Sequence, residues 1–148
     1  MTNRESVQEQ ILRLERAALD RWGAGDPDGF LEAYAADVTY FDPVTPARID
    51  GHEAMRAYYR PWIGKIKVDR YEILNSSAVV TDDICVLTYN LVNFLREANG
   101  TERLLNRWNS TAVYQRHGTE WKIVHSHWSF TQPTLVASNV NPEAGLMA

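Results

Sequence analysis

Apolar residues recur every three or four positions near the start of the chain, at Val7, Ile11, Leu14, Ala18 and Trp22. That period places them on one side of an α-helix, with Glu9, Arg13, Arg16 and Asp20 largely on the other. Gly23-Ala24-Gly25 stops this helix, and Asp26-Pro27 predicts a second, with Asp as N-cap and Pro at the first helical position. Phe30, Leu31 and Tyr34 give the second helix its buried side. Val38 to Asp42 is β-rich and closed by Pro43. A third helix is predicted from Asp50-Gly51-His52-Glu53, where an Asp with Glu three residues later resembles a capping box. Met55, Tyr58, Tyr59 and Trp62 form its apolar face before Gly64 ends it.

Beyond Lys65 the pattern changes to long strand-like runs, over 71–81, 84–95, 103–115 and 121–131. Asp82-Asp83, Asn99-Gly100 and His117-Gly118 read as the turns between them. Consecutive strands with short turns predict an antiparallel meander. Pro133 closes the last run, and residues 134–148 show no period. Helices first and a long sheet afterwards define the α+β class, with three N-terminal helices packed on a strongly bent antiparallel sheet. The expected organisation is one domain over 1–133 and a C-terminal tail over 134–148. A strong curl would leave a pocket on the concave side.

Composition narrows the function classes. At 148 residues and 45% hydrophobic content the chain suits a single packed domain. A formal net charge of −4 gives no electrostatic footprint for nucleic acid. The single cysteine, Cys85, rules out an internal disulfide framework and a multi-cysteine zinc site. Its place between Ile84 and Val86 suits a small core residue. No apolar run approaches the roughly 20 residues of a membrane span. The first ten residues also lack the apolar core of a leader. The expectation is a soluble cytoplasmic protein without membrane partners. Aromatic residues make up 11%, including five Trp and seven Tyr, more than a minimal core needs.

Polar side chains interrupt the strands. Asn90, Asn93, Asn106, Arg107 and Asn109 stand among Tyr89, Phe94, Leu105 and Trp108. Either they are hydrogen-bonding groups in a pocket wall, or they lie on the outer face of the sheet. Asp42 ends a strand just before Pro43. Burial among aromatics would suit it to act as a general base, whereas Asp-Pro also forms ordinary turns. His125 and His127 share one face of a strand by their spacing of two. They could orient or protonate a ligand, or serve as structural histidines; no third residue of matching spacing completes a zinc site. Ser126 and Ser129 lack a nucleophile elbow, and the chain contains neither a P-loop nor G-x-G-x-x-G.

Two stretches carry a family resemblance. Residues 37–43 (Asp-Val-Thr-Tyr-Phe-Asp-Pro), followed by Ile49 to Met55 and Tyr58-Tyr59, resemble the front of a SnoaL-like or ketosteroid-isomerase-like domain. Val113 to Arg116 and Trp121 to Ser129 resemble its last two strands. The ending with two histidines is similar to the association domain of calcium/calmodulin-dependent kinase II and its bacterial relatives. All are members of the nuclear-transport-factor-2-like superfamily, whose cystatin-like fold is a cone of three helices over a bent sheet, usually dimeric.

The resemblance implies that Asp42 matches the base of the steroid isomerases and Trp128 an aromatic of their pocket wall. The matching oxyanion positions fall at or near Ala18 and Thr111, which supply no comparable donor, and this argues against steroid isomerisation itself. It leaves the last strand open: either Val124, Ser126 and Trp128 face inward, or Trp121, Ile123, His125 and His127 do, unless a bulge reconciles the two.

The first expectation is therefore a homodimeric cone that binds a small, partly apolar organic molecule. Acid-base chemistry without cofactor or metal would use Asp42 as base and His125 or His127 as acid or ligand donor. Its expected lining is Trp22, Tyr40, Tyr58, Trp62, Asn90, Arg107, Trp108, Asn109 and Trp128. The second expectation is an oligomerisation module whose pocket only receives a ligand.

Overall fold

The computed structural model describes residues 5–131. Helix α1 spans Val7–Gly23, and its start is fixed by Ser6, whose hydroxyl accepts the Glu9 N–H at 3.1 Å. Helix α2 is short, Asp28–Ala33, one residue later than expected because Pro27 takes the N-cap position. Asp26 still caps from one residue farther out, accepting the Asp28 N–H at 3.0 Å. Strand β1 covers Tyr34–Phe41, so Tyr34 belongs to the sheet rather than to the helix before it. A two-residue strand, β2 (Ile49–Asp50), leads into α3 (His52–Tyr59), which continues as a 3-10 turn over Arg60–Trp62.

The expected capping box at Asp50 does not form. Gly51, at φ 93°, takes the N-cap position without a side-chain cap, and the Asp50 carboxylate instead pairs with Arg48 Nε at 2.6 Å. At the far end of α1, Gly25 adopts φ +88°. A Cβ there would meet Ile66 O at 3.2 Å and Gly64 Cα at 3.3 Å. Gly25 thus lets the 64–68 segment close against the helix end, where Gly64 donates to Gly25 O and Val68 to Gly23 O.

Four long strands follow: β3 (Arg70–Val80), β4 (Ile84–Arg96), β5 (Glu102–His117) and β6 (Glu120–Phe130). They form the expected antiparallel meander, and the sheet order is β2-β1-β6-β5-β4-β3. Strand β1 joins its far side parallel to β6, a pairing that the meander pattern did not contain. The helices cover one face of the curled sheet. Ile11, Ala18 and Leu19 of α1 pack with Cys85, Leu87 and Leu91 of β4, and with Ala112 and Tyr114 of β5. Cys85 is fully buried in this core.

One irregularity decides which side chains enter the cone. On β6, Ile123 pairs with Tyr114 while His125 pairs with Val113, so Val124 is an extra residue. This bulge shifts the alternation by one. Trp121 and Ile123 are buried before it, and Ser126 and Trp128 after it. His125 and His127 are left on the outer face. Each half of the two alternatives left open by the sequence is therefore realised, on either side of Val124.

Candidate functional site

Strand register brings the candidate site together at one end of the sheet. Tyr40 pairs with Ser126 and Phe41 with His127, so Asp42 leaves β1 level with Trp128. Ser110 pairs with Trp128 and Trp108 with Phe130, which extends the inward row of β5 and β6 toward the same end. Beyond them, Asn93 donates to Asn106 Oδ1 at 2.9 Å.

Asp42 is half-buried, and both carboxylate oxygens are engaged. Oδ2 accepts the phenols of Tyr58 at 2.6 Å and Tyr40 at 2.9 Å. Oδ1 accepts the backbone N–H groups of Val44 at 2.8 Å and Thr45 at 3.1 Å. Asp42 is thus a turn former through one oxygen and part of a phenol cluster through the other. Burial, together with the adjacent carboxylate, pushes the Tyr58 phenol well up. Burial and the neighbouring Tyr59, Tyr34 and Asp42 do the same to Tyr40, so both remain O–H donors.

Behind this cluster the aromatic excess becomes a continuous network. Trp22 meets Phe30 edge-on at 5.9 Å and Tyr59 at 5.2 Å. Tyr59 and Tyr34 share a hydrogen bond between hydroxyls at 2.8 Å. Trp128 makes edge contacts with Phe30, Tyr89 and Trp108 at 6.2, 6.0 and 5.9 Å. Edge-on and tilted ring contacts pack this interior, where Tyr34, Tyr40, Tyr59, Tyr89 and Trp128 are all buried. Accessible aromatic surface remains at the rim, where Trp108 stacks on Phe130 at 4.2 Å and Phe130 is 42% exposed.

Several expected site residues stand elsewhere. His125 and His127 flank Phe41 on the outer face, with ring centroids 5.7 and 5.2 Å from it. His125 Nδ1 lies 2.7 Å from Thr39 Oγ1, and burial lowers its proton affinity. The bulge at Val124 separates both imidazoles from Asp42. Asn90 and Asn109 belong to a polar ladder on that same outer face. Asn75 donates to Asn90, Asn90 to Asn109 at 2.8 Å, and Asn109 to Ser129 at 3.1 Å. Arg107 is exposed in the same row, and Trp62 is 41% exposed on the 3-10 turn. These residues take the outer-face alternative, because alternation turns every second side chain of β4 and β5 away from the helices.

The sequence reading missed Glu15. It is 1% exposed inside the cone, where Tyr89 donates to its Oε2 at 2.5 Å and Tyr114 to its Oε1. The signal was present, since Glu15 stands four residues after Ile11 and four before Leu19, on the apolar stripe of α1. Burial pushes its carboxyl up, against the two phenol bonds that favour the charged form. Among the described residues, no group of three His, Cys, Asp or Glu side chains is placed to hold a metal ion. No helix among them is long and apolar enough to cross a membrane.

A curled six-stranded sheet under N-terminal helices, with polar groups reaching into an aromatic interior, is the cone of the nuclear-transport-factor-2-like superfamily. The SnoaL-like domain model matches residues 12–133, and the chain belongs to that family. A candidate ketosteroid isomerase from Parabacteroides distasonis is 33% identical, with TM-score 0.75, covering 90% of this chain and 96% of that one. The association domain of the C. elegans calcium/calmodulin-dependent kinase II is 23% identical, with TM-score 0.67, covering 84% and 97%. A Nostoc punctiforme protein with a cystatin-like fold is 13% identical, with TM-score 0.71, covering 90% and 98%. No curated protein matches the sequence.

Proposed function

We propose that the chain binds a small, partly apolar organic molecule at the rim of the cone, with Asp42 as the acid-base group. The observation that carries this reading is the pair of phenols, Tyr40 and Tyr58, on one oxygen of a half-buried carboxylate beside the inward aromatic row. Tyr58 is itself half-buried, so it is the partner that an incoming ligand displaces. Trp108 and Phe130 offer a flat apolar surface, and Asn93 and Asn106 offer amides. For a carbonyl compound, Asp42 Oδ2 takes the proton from the α-carbon. The C–H electron pair moves toward the carbonyl oxygen, where a tyrosine O–H donates to the developing enolate. His125 and His127 have no part in that step.

The test uses 2-tetralone in deuterated buffer, with α-proton exchange followed by NMR. Exchange above background that disappears in Asp42→Asn and survives in His127→Ala supports the reading. No exchange in the wild-type protein removes the catalytic half. Quenching of tryptophan fluorescence by 2-naphthol then tests binding alone, expected to weaken at least ~tenfold in Trp108→Ala.

A second reading is an association module, in line with the likeness to a kinase association domain. The observation favouring it is the outer face, where Phe41, His125 and His127 cluster around no ligand-like geometry. Light scattering on purified protein separates the two, because a monomer at every concentration sinks the association reading.

A further inference from the structure

Glu15 lies outside the proposed chemistry, and its surroundings are unusual for a carboxyl group. The groups that bond or face it are phenols: Tyr89 from β4, Tyr114 from β5, Tyr34 from β1 and Tyr59 from α3. The Cys85 thiol sits by Tyr114. None of these groups is a cation. A carboxylate here would be a buried charge without a counter-charge, which is far more costly than a buried neutral acid.

A second observation concerns hydrogen bonds. Ser110 Oγ is buried beside the Tyr89 phenol, yet it makes no hydrogen bond of acceptable geometry among the described residues. When Glu15 is a carboxylate, Tyr89 spends its only proton on it, and Ser110 can pair with Tyr89 only by donating to the phenol oxygen. A protonated Glu15 donates to the Tyr89 oxygen and still accepts from Tyr114, which frees the Tyr89 O–H to turn to Ser110. The neutral acid therefore lets Ser110 Oγ pair as an acceptor as well as a donor.

We propose that Glu15 is held as the neutral acid in the folded protein at neutral pH, and that its proton fastens α1 to the sheet. Glu15 is the point where α1 is hydrogen-bonded to both β4 and β5, so its proton sits at the joint between the two layers. The direction of the pH effect follows. Burial raises the proton affinity of Glu15 in the folded state above its ordinary value of 4.5. The folded state then binds more protons than the unfolded one, and stability falls as pH rises through and above that value. Alkaline conditions load the joint with charge, and acid conditions relieve it.

Thermal unfolding of the wild-type protein and Glu15→Gln from about pH 4 to about pH 8 tests this. Gln copies the neutral acid and cannot ionise. The expected result is equal melting temperatures at the acid end and a variant more stable by about 3 °C or more at the other. Equal destabilisation of the variant across the whole range overturns the proposal. Should Glu15→Gln fail to fold, infrared spectroscopy of the wild-type protein decides. A protonated-carboxyl C=O band at neutral pH supports the proposal, and its absence overturns it.

Discussion

Tyr58 and Tyr40 donate to the same oxygen of Asp42, at 2.6 and 2.9 Å, although they come from a helix and a strand. Asp42 therefore ties α3 to the end of β1 while its second oxygen shapes the turn at Val44 and Thr45. Replacing it by Ala removes the acceptor for four donors at once. The expected loss is about 2–4 kcal/mol, in the range for breaking a buried polar network. Asp42→Asn keeps one carbonyl acceptor and should lose about half of that, measured by urea unfolding.

Trp128 and Trp62 should behave oppositely. Trp128 joins three other rings and is 8% exposed, so Trp128→Ala should cost about 3–5 kcal/mol. Trp62 is 41% exposed, and its truncation should stay within about 0.5 kcal/mol. Denaturant midpoints of the two variants check the contrast.

All seven tyrosines have proton affinities raised above the ordinary value of 10.0, chiefly by burial. Tyr71, the least shifted to carry a value, is pushed up to about 12. Their stabilising effect is complete below pH 10 and is lost as pH rises beyond it, because the unfolded chain ionises first. Ultraviolet titration should therefore show almost no tyrosinate at pH 10–11 in folded protein. A single cooperative rise should follow, coincident with loss of circular dichroism. A gradual rise centred on 10 would contradict the burial of these rings.

His125 and His127 stand across the sheet from the aromatic interior. His127→Ala should leave 2-naphthol binding unchanged and alter stability by no more than about 0.5 kcal/mol. Isothermal titration and thermal melts measure both. His125→Ala breaks the 2.7 Å contact with Thr39 and should cost about 1 kcal/mol.

The helices, the four-strand meander and its turns were legible because they rest on local period and turn chemistry. The strand ends fall within a residue or two of the expected runs, from Arg70–Val80 to Glu120–Phe130. The parallel docking of β1 on β6 was not, since pairing between elements far apart in sequence leaves no local trace. Asp42 was legible as a dual candidate, and the structure shows it turning the chain while accepting two phenols. The asparagines divided, Asn93 and Asn106 facing in and Asn90 and Asn109 facing out, for a simple reason: alternation gives two faces, and sequence does not say which face the helices cover. Glu15 was overlooked although it interrupts an apolar stripe, which is where a buried polar group declares itself.

The extra residue at Val124 has one more consequence. Flattening the bulge with Val124 kept would impose strict alternation from Trp121 onward, carrying the imidazoles of His125 and His127 inside and expelling the Trp128 indole. A slip of one residue in the pairing of β5 with β6 would thus exchange the contents of the cone without any change of sequence.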